Sequence, residues 1–191
     1  ASGGGPGAFK VETKAGETFY YGDVYTQAGK NFVTTSNSNN QSDSYQTALK
    51  NGNEVIHSWS LKAIEDVVGN YISYHYIKTN EEQYLSSIDY SGHSNGALPY
   101  KKISFDYGAR PYPKKGIVYG SAVSQTKLLN KIILSTDNQI EKTYYLTYQL
   151  ANSLFGFNYL DSIQACVGTD TADCTRSIRF TWERSQIPQS P

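Results

Sequence analysis

The chain has 191 residues, and its 17 Lys and Arg balance 17 Asp and Glu, so the formal net charge at pH 7 is zero. This length predicts one domain with a sizeable core, and the charge balance gives no general attraction to nucleic acid or to an anionic membrane. No apolar run approaches the roughly 20 residues of a membrane-spanning helix. Residues 1–7 and 185–191 are predicted to be linkers around one β-rich module, 8–184, because their composition is that of flexible connections.

The 17 Tyr and 7 Phe, with many Thr, Asn and Gly, are typical of strands joined by tight turns. In chain order, "FKVETK" and "ETFYYG" predict a first hairpin, and "DSYQTALKNGNEVI" (43–56) is the one stretch with a helical tendency. Four similar units follow. Each has an L-x-x-I strand, a turn, and then an aromatic strand with period two, and the four leucines are Leu61, Leu85, Leu129 and Leu160.

Repeated hairpins that each bury one face predict an all-β protein whose antiparallel hairpin repeats form a curled sheet or a β-sandwich. The alternation in "YISYHY", "KISFDYG", "TYYLTYQL" and "SIRFTWE" separates a core face from a wet face. The residues predicted to lie on the core face are Ile72, Tyr74, Phe105, Leu146, Phe180 and Trp182.

The stretch "SGHSNG" (91–96) contains the G-x-S-x-G pattern of the serine hydrolase nucleophile elbow. That elbow requires a strand-to-helix turn, followed later in the chain by an acid and a histidine. The three histidines are His57, His75 and His93, so none follows Ser94, and Pro99 precedes another strand. We therefore predict that this motif is a hairpin connection.

Other catalytic signatures, such as HExxH, a P-loop or GxGxxG after a strand, do not occur in the sequence. The paired carboxylates Glu81–Glu82 lie in polar loop sequence, where charges are usually solvated, and His75 between tyrosines is typical of a sheet surface. A facing pair of catalytic carboxylates stays open as an alternative. The chain is otherwise predicted to be non-catalytic, without a cofactor or a metal.

The two cysteines, Cys166 and Cys174, lie in "CVGTDTADC". A zinc site would need further ligands, so the favoured interpretation is a disulfide that fixes a loop or hairpin in an exported protein; two free thiols are the alternative. Asp170 and Asp173 within the loop are weak support for calcium.

Several motifs, in order, carry a family resemblance. They are "GAFKVETKAGETFYYG" (7–22), "SWSLKAIEDVVGNYISYHY" (58–76), "YLSSIDYSG" (84–92), "ISFDYGARPYP" (103–113), and "KLLNKIILS" (127–135) with "YYLTYQLANSLFGFNYLDSIQAC" (144–166) and "FTW" (180–182). Together they resemble the β-module shared by SpvB-type (Salmonella virulence plasmid B) proteins and the B components of insecticidal toxin complexes, which are related to Rhs/YD-repeat proteins. Two positions depart from the family pattern, with Ala15 and Tyr112 where the family has an acid.

The resemblance implies a non-catalytic scaffold or binding module of a secreted or cell-surface bacterial protein, with neighbouring domains of the same polypeptide as its partners. In that family, toxic activity belongs to separate C-terminal regions, and no such activity is carried over to this chain.

The alternative function is a carbohydrate-binding module. Residues 101–115 hold five Lys and Arg against one Asp, interleaved with tyrosines, a composition suited to an anionic polysaccharide. Lysines that protect an edge strand from aggregation are the competing explanation. The residues predicted to bind a ligand are Tyr71, His75, Tyr100, Lys101, Arg110, Tyr112, Lys114 and Tyr145.

Overall fold

The computed structural model describes residues 6–22, 44–50, 53–79, 82–118, 120–150 and 157–182. These residues form twelve strands and no helix, so the predicted all-β class is confirmed. The strands are β1 Ala8–Glu12, β2 Thr18–Gly22, β3 Tyr45–Lys50, β4 Asn53–Trp59, β5 Leu61–Glu65, β6 Asn70–Lys78, β7 Gln83–His93, β8 Lys101–Val118, β9 Ser121–Thr136, β10 Gln139–Leu150, β11 Asn158–Val167 and β12 Ile178–Arg179.

Ten strands form one open antiparallel sheet in the order β1-β2-β5-β6-β7-β8-β9-β10-β11-β12. Each strand pairs with the next along the chain, except that the β3–β4 hairpin lies between β2 and β5 as a separate two-stranded sheet. The helical tendency of 43–56 is therefore wrong in its described part, because β3 and β4 pair there. Most of both linkers, residues 1–5 and 185–191, lies outside the described residues.

The sheet curls, as the hairpin repeats predict. Lys114 of β8 lies 5.4 Å from the ring centroid of Phe157, which immediately precedes β11, although β9 and β10 separate these strands in the sheet order. No pairing closes the sheet into a barrel among the described strands, because β1 and β12 are its two edges.

The repeat seen in the sequence is a repeated β-bulge. The residue after each marker leucine is left out of the pairing, so that Leu61, Leu85, Leu129 and Leu160 face Tyr21, Tyr76, Tyr107 and Tyr148. In a regular strand, L-x-x-I places its two apolar residues on opposite faces. The extra residue of the bulge returns both to the same face, and this explains the odd spacing.

Hydrogen bonds link each marker leucine to an aromatic side chain later in the chain. Tyr76 donates to the carbonyl of Leu61, Tyr107 to that of Leu85, and Tyr148 to that of Leu129, each over 2.7 Å. Trp182 Nε1 completes the series by donating to the Leu160 carbonyl over 2.7 Å. We call this alternation of leucines and aromatics across the sheet the Tyr–Leu ladder.

One face of the sheet is almost entirely apolar, because residues paired across neighbouring strands share a face. We call it the apolar face, and its members include Phe19, Ile64, Ile72, Tyr74, Ile88, Ile103, Phe105, Ile132, Leu134, Tyr144, Leu146 and Ile163. All twelve are half-buried. Four of the predicted core residues, Ile72, Tyr74, Phe105 and Leu146, therefore lie together on this face, but none is fully covered.

The opposite face holds the most completely buried residues, among them Tyr20, Ala63, Ser73, Ser87 and Thr143. Most of these side chains are small, so neighbouring larger side chains cover them within the sheet itself. The prediction that Phe180 and Trp182 belong to the core is wrong, because they are 36% and 49% exposed at the sheet edge.

The predicted disulfide is present between Cys166 and Cys174. It joins β11 to the segment that follows. The amides of Thr175 and Phe180 donate to the carbonyls of Ala165 and Asp161, over 2.7 and 2.8 Å. The disulfide therefore holds residues 173–180 along the outer edge of β11, where an open edge would favour aggregation.

Replacing both Cys166 and Cys174 with alanine is expected to lower the free energy of unfolding by about 2–3 kcal/mol, because a short closed loop restricts the unfolded chain. Urea titration measures the change. A reducing agent should shift the wild-type midpoint similarly and leave the double variant unchanged. An unchanged wild-type midpoint after complete reduction would contradict this role.

Candidate functional site

The predicted ligand residues do not form one cluster. Tyr100 and Lys101 lie at the start of β8, while Arg110, Tyr112 and Lys114 lie towards its other end, roughly 30 Å or more away along the strand. No small ligand contacts both groups. Tyr71, predicted to point outward, is only 2% exposed, so that prediction is wrong.

A bulge in β8 holds two residues of the second group, Arg110 and Tyr112, and Lys114 follows it directly. The pairing of β8 with β9 is interrupted between Ala109 and Lys114, so "RPYP" (110–113) leaves the ladder, and its two prolines have no amide to donate. Within the bulge, Arg110 Nε donates to the Lys127 carbonyl over 3.4 Å, and Tyr112 is half-buried.

Glu82 takes the place of the strand partner that the bulge removes from the β8–β9 pairing. Its carboxylate accepts hydrogen bonds from the amide and hydroxyl of Thr126, over 2.7 and 2.6 Å, and from the hydroxyl of Tyr84. Burial opposes its ionisation, but these hydrogen bonds and the charge of Lys127 outweigh that effect, so the pKa of Glu82 is lowered. The expectation that this carboxylate is solvated is wrong, because Glu82 is buried.

A cleft of about 410 Å³ lies beside this carboxylate, at the end of β8 where the basic residues Lys114 and Lys115 are exposed. Its lining is Gln46, Glu82, Gln83, Tyr84, Lys114, Lys115, Gly116, Val118, Val123, Ser124 and Gln125. The cleft therefore offers cations, amide groups and one tyrosine ring from four different strands.

Three aromatic rings that the sequence analysis did not assign to a site continue outward from this cleft. Phe157, Tyr159 and Trp182 follow one another with ring centroids 6.3 and 5.6 Å apart, and Lys114 Nζ stands over the first ring. We call these three residues the aromatic strip. Alternation placed Trp182 inside and so concealed it, but Trp182 lies beyond the last strand, β12, and is exposed at the sheet edge.

A second cleft, of about 350 Å³, lies at the start of β8. It is lined by Asp89, Leu98, Pro99, Tyr100, Lys101, Lys102, Asp137 and Asn138. Two lysines there are balanced by two aspartates, so this cleft has no net preference for an anion, whereas the first cleft holds two lysines against Glu82 alone. Tyr100 and Lys101 therefore occupy a different electrostatic environment from Lys114.

His75 and Tyr145 lie on the face opposite the apolar one, each with a charged neighbour. His75 Nε2 lies 2.9 Å from Asp89 Oδ2 and 3.5 Å from Ser73 Oγ. Both partners contact the same ring nitrogen, Nε2, whereas in a catalytic triad each ring nitrogen has its own partner. Lys131 lies 5.9 Å from the Tyr145 ring, whose hydroxyl donates to the Thr169 carbonyl.

Burial opposes the ionisation of Asp89, but the hydrogen bond from His75 and the charge of Lys102 outweigh it, so the pKa of Asp89 is lowered. This carboxylate is therefore the charged partner that fixes the His75 ring.

The "GHSNG" motif is a hairpin connection between β7 and β8, as predicted. A Cβ atom on Gly92 would lie 2.3 Å from the ring of Tyr71, so this glycine is required by packing. Ser94 donates its amide to the Gly69 carbonyl over 2.8 Å, and Gly96 has the positive φ of a tight turn. All three motif residues thus have structural roles in the turn.

No helix within the described segments has the length and hydrophobicity needed to cross a membrane.

The fold is thus that of an open β meander with an insertion hairpin, and it is shared with toxin-related proteins. The N-terminal domain of the effector protein SpvB from Salmonella typhimurium strain LT2 matches with a TM-score of 0.55 and 14% identity, over 83% of this chain and 60% of that one. TcdB2-TccC3 without its hypervariable C-terminal region matches with a TM-score of 0.54 and 13% identity, over 82% of this chain and 9% of that one. At these identities the likeness concerns the fold.

The chain therefore spans about 60% of the SpvB structure and a small part of TcdB2-TccC3. No protein-family model matches the chain, and no curated protein sequence matches it. The two matches to solved structures support the resemblance inferred from the sequence motifs as a structural relationship.

Proposed function

We propose that this chain is a non-catalytic structural module of a secreted, toxin-like multidomain protein, and that its apolar face packs against a neighbouring domain of the same polypeptide. The apolar face is the observation that supports this proposal, because twelve large apolar or aromatic residues on it are only half-buried. The disulfide is consistent with an oxidising, extracellular environment.

The hydrogen bonds of the Tyr–Leu ladder allow a partner to cover the apolar face at little cost. Covering a tyrosine hydroxyl without a hydrogen-bond partner is costly. The hydroxyls of Tyr76, Tyr107 and Tyr148 already donate to leucine carbonyls within the sheet. A partner that covers these rings therefore removes apolar surface from water without leaving those hydroxyls unpaired, which favours association.

Hydroxyl-radical footprinting, compared between the isolated chain and the intact polypeptide that contains it, tests the proposal. We expect Phe105 and Tyr144 of the apolar face to be oxidised in the isolated chain and protected in the intact protein. Tyr145, on the opposite face of the same strand, is the matched control and should be oxidised similarly in both. Equal oxidation of Phe105 and Tyr144 in the two samples would contradict a covered apolar face.

A second function, recognition of a polysaccharide, is favoured by one arrangement. The cleft at the end of β8 combines two exposed lysines with three glutamines. Gel retardation in neutral, carboxylated and sulfated polysaccharides tests this function, and retardation in an anionic gel only is the expected result. No retardation in any gel would exclude it.

A further inference from the structure

Phe157 and Trp182 are large aromatic side chains that the fold leaves 44% and 49% exposed. With Tyr159 between them they form the aromatic strip, whose rings are tilted by 51° and 41° from one to the next. Trp182 is anchored by its hydrogen bond to the Leu160 carbonyl. The strip is therefore an ordered row of rings and not a set of independent surface residues.

The strip has a charged end. Lys114 Nζ lies 5.4 Å from the Phe157 centroid and also lines the cleft that holds Lys115, Gln83 and Gln125. An extended ligand that lies along the three rings would therefore also contact the two lysines and the amide groups of the cleft. Cations pair strongly with carboxylate or sulfate groups, and aromatic faces pack against the apolar faces of sugar rings.

We propose that the aromatic strip and Lys114 together form the binding surface for an extended anionic polysaccharide, an inference that rests on the second function proposed above. Each ring would contact one sugar unit, and the lysines would pair with acidic substituents near the cleft. The shape of the strip favours this occupant over a protein. It is one ring wide, and polar Gln149 on β10 and Asp161 on β11, bonded to each other, lie beside it. A protein interface, by contrast, needs about 800 Å² per partner.

Tryptophan fluorescence gives a direct test, because Trp59 and Trp182 are the two tryptophans of the chain. In a Trp59→Phe variant, Trp182 is the sole tryptophan, and excitation at the red edge of the absorption band, where the 17 tyrosines do not absorb, reports on it alone. Titration with alginate, which is carboxylated, or with dextran sulfate should quench its emission and shift it to the blue, and neutral dextran should not. The two anionic titrations distinguish a carboxylated from a sulfated ligand.

Matched substitutions locate the surface. Phe157→Ala and Lys114→Ala should each weaken binding about tenfold, because they remove a stacking ring or a paired charge. Phe9→Ala and Lys10→Ala change the same residue types at exposed positions on β1, at the opposite edge of the sheet, and should leave the affinity within about twofold. If Trp59→Phe fails to fold, gel retardation of the wild-type background with the same four substitutions gives the same comparison.

The outcomes separate this inference from the function on which it rests. Retardation of the wild type that Phe157→Ala and Lys114→Ala do not reduce would overturn the strip and leave polysaccharide recognition standing. Absence of any binding by the wild type would overturn both. Neither result bears on the apolar face, which is tested by footprinting.

Discussion

Replacing Glu82 with alanine is expected to lower the free energy of unfolding by about 3–4 kcal/mol, because it removes three hydrogen bonds to a buried carboxylate. The carboxylate accepts from the amide and hydroxyl of Thr126 and from the hydroxyl of Tyr84 at the point where the β8 bulge removes the strand partner. Urea titration measures the loss. Glu141→Ala, at an exposed position on β10, is the matched control and should change stability by less than about 0.5 kcal/mol.

The same carboxylate makes stability depend on pH. Because the folded pKa of Glu82 is lowered from 4.5, its contribution is fully present above the unfolded value and is lost as the pH falls through the folded value. Wild-type stability should therefore fall as the pH is lowered below the ordinary value of 4.5, and Glu82→Gln, which has no charge to lose, should show a shallower decline. Asp89 also has a lowered pKa and contributes in the same direction in both proteins. Parallel declines of the wild type and the Gln variant would contradict this account.

The strands and their repetition could be predicted from the sequence because period-two alternation and L-x-x-I spacing are local signals. The bulge after each marker leucine was not predicted, although it is what makes L-x-x-I fit a single face. The more completely buried face was also misidentified. Alternation separates apolar from polar residues, but how far each face is covered depends on whether a second layer exists. In this sheet the apolar face is left half-buried, and Ser73 and Thr143 on the other face are buried instead.

The candidate site could be predicted only in part, for a related reason. Lys114 was identified because basic residues cluster locally in the sequence. Its neighbours Phe157 and Trp182 lie more than forty residues away, and only the curl of the sheet brings β8 close to the start of β11. Tyr71 was misplaced because its ring covers Gly92 on the adjacent strand, a contact that no single-strand pattern contains.

Substitution of Tyr107, a half-buried residue of the Tyr–Leu ladder, is expected to have the second large effect on the free energy of unfolding. Its ring centroid lies 5.2 Å from that of Tyr84, and its hydroxyl donates to the Leu85 carbonyl. Tyr107→Ala removes the ring and the hydrogen bond and should cost about 3 kcal/mol, whereas Tyr107→Phe removes only the hydrogen bond and should cost about 1 kcal/mol. Both are measured by urea titration, with the exposed Tyr100→Phe as a control that should change nothing measurable.

Because the ladder repeats the same bond, Tyr76→Phe and Tyr148→Phe should each cost about as much as Tyr107→Phe, and the three losses should add within about 0.5 kcal/mol, since the sites lie about 10 Å apart. A triple variant as stable as the wild type would show that these hydrogen bonds do not stabilise the sheet. If the triple variant instead loses far more unfolding free energy than the sum of the three single losses, the ladder is cooperative. Each hydrogen bond would then fix the bulge on which the next one depends.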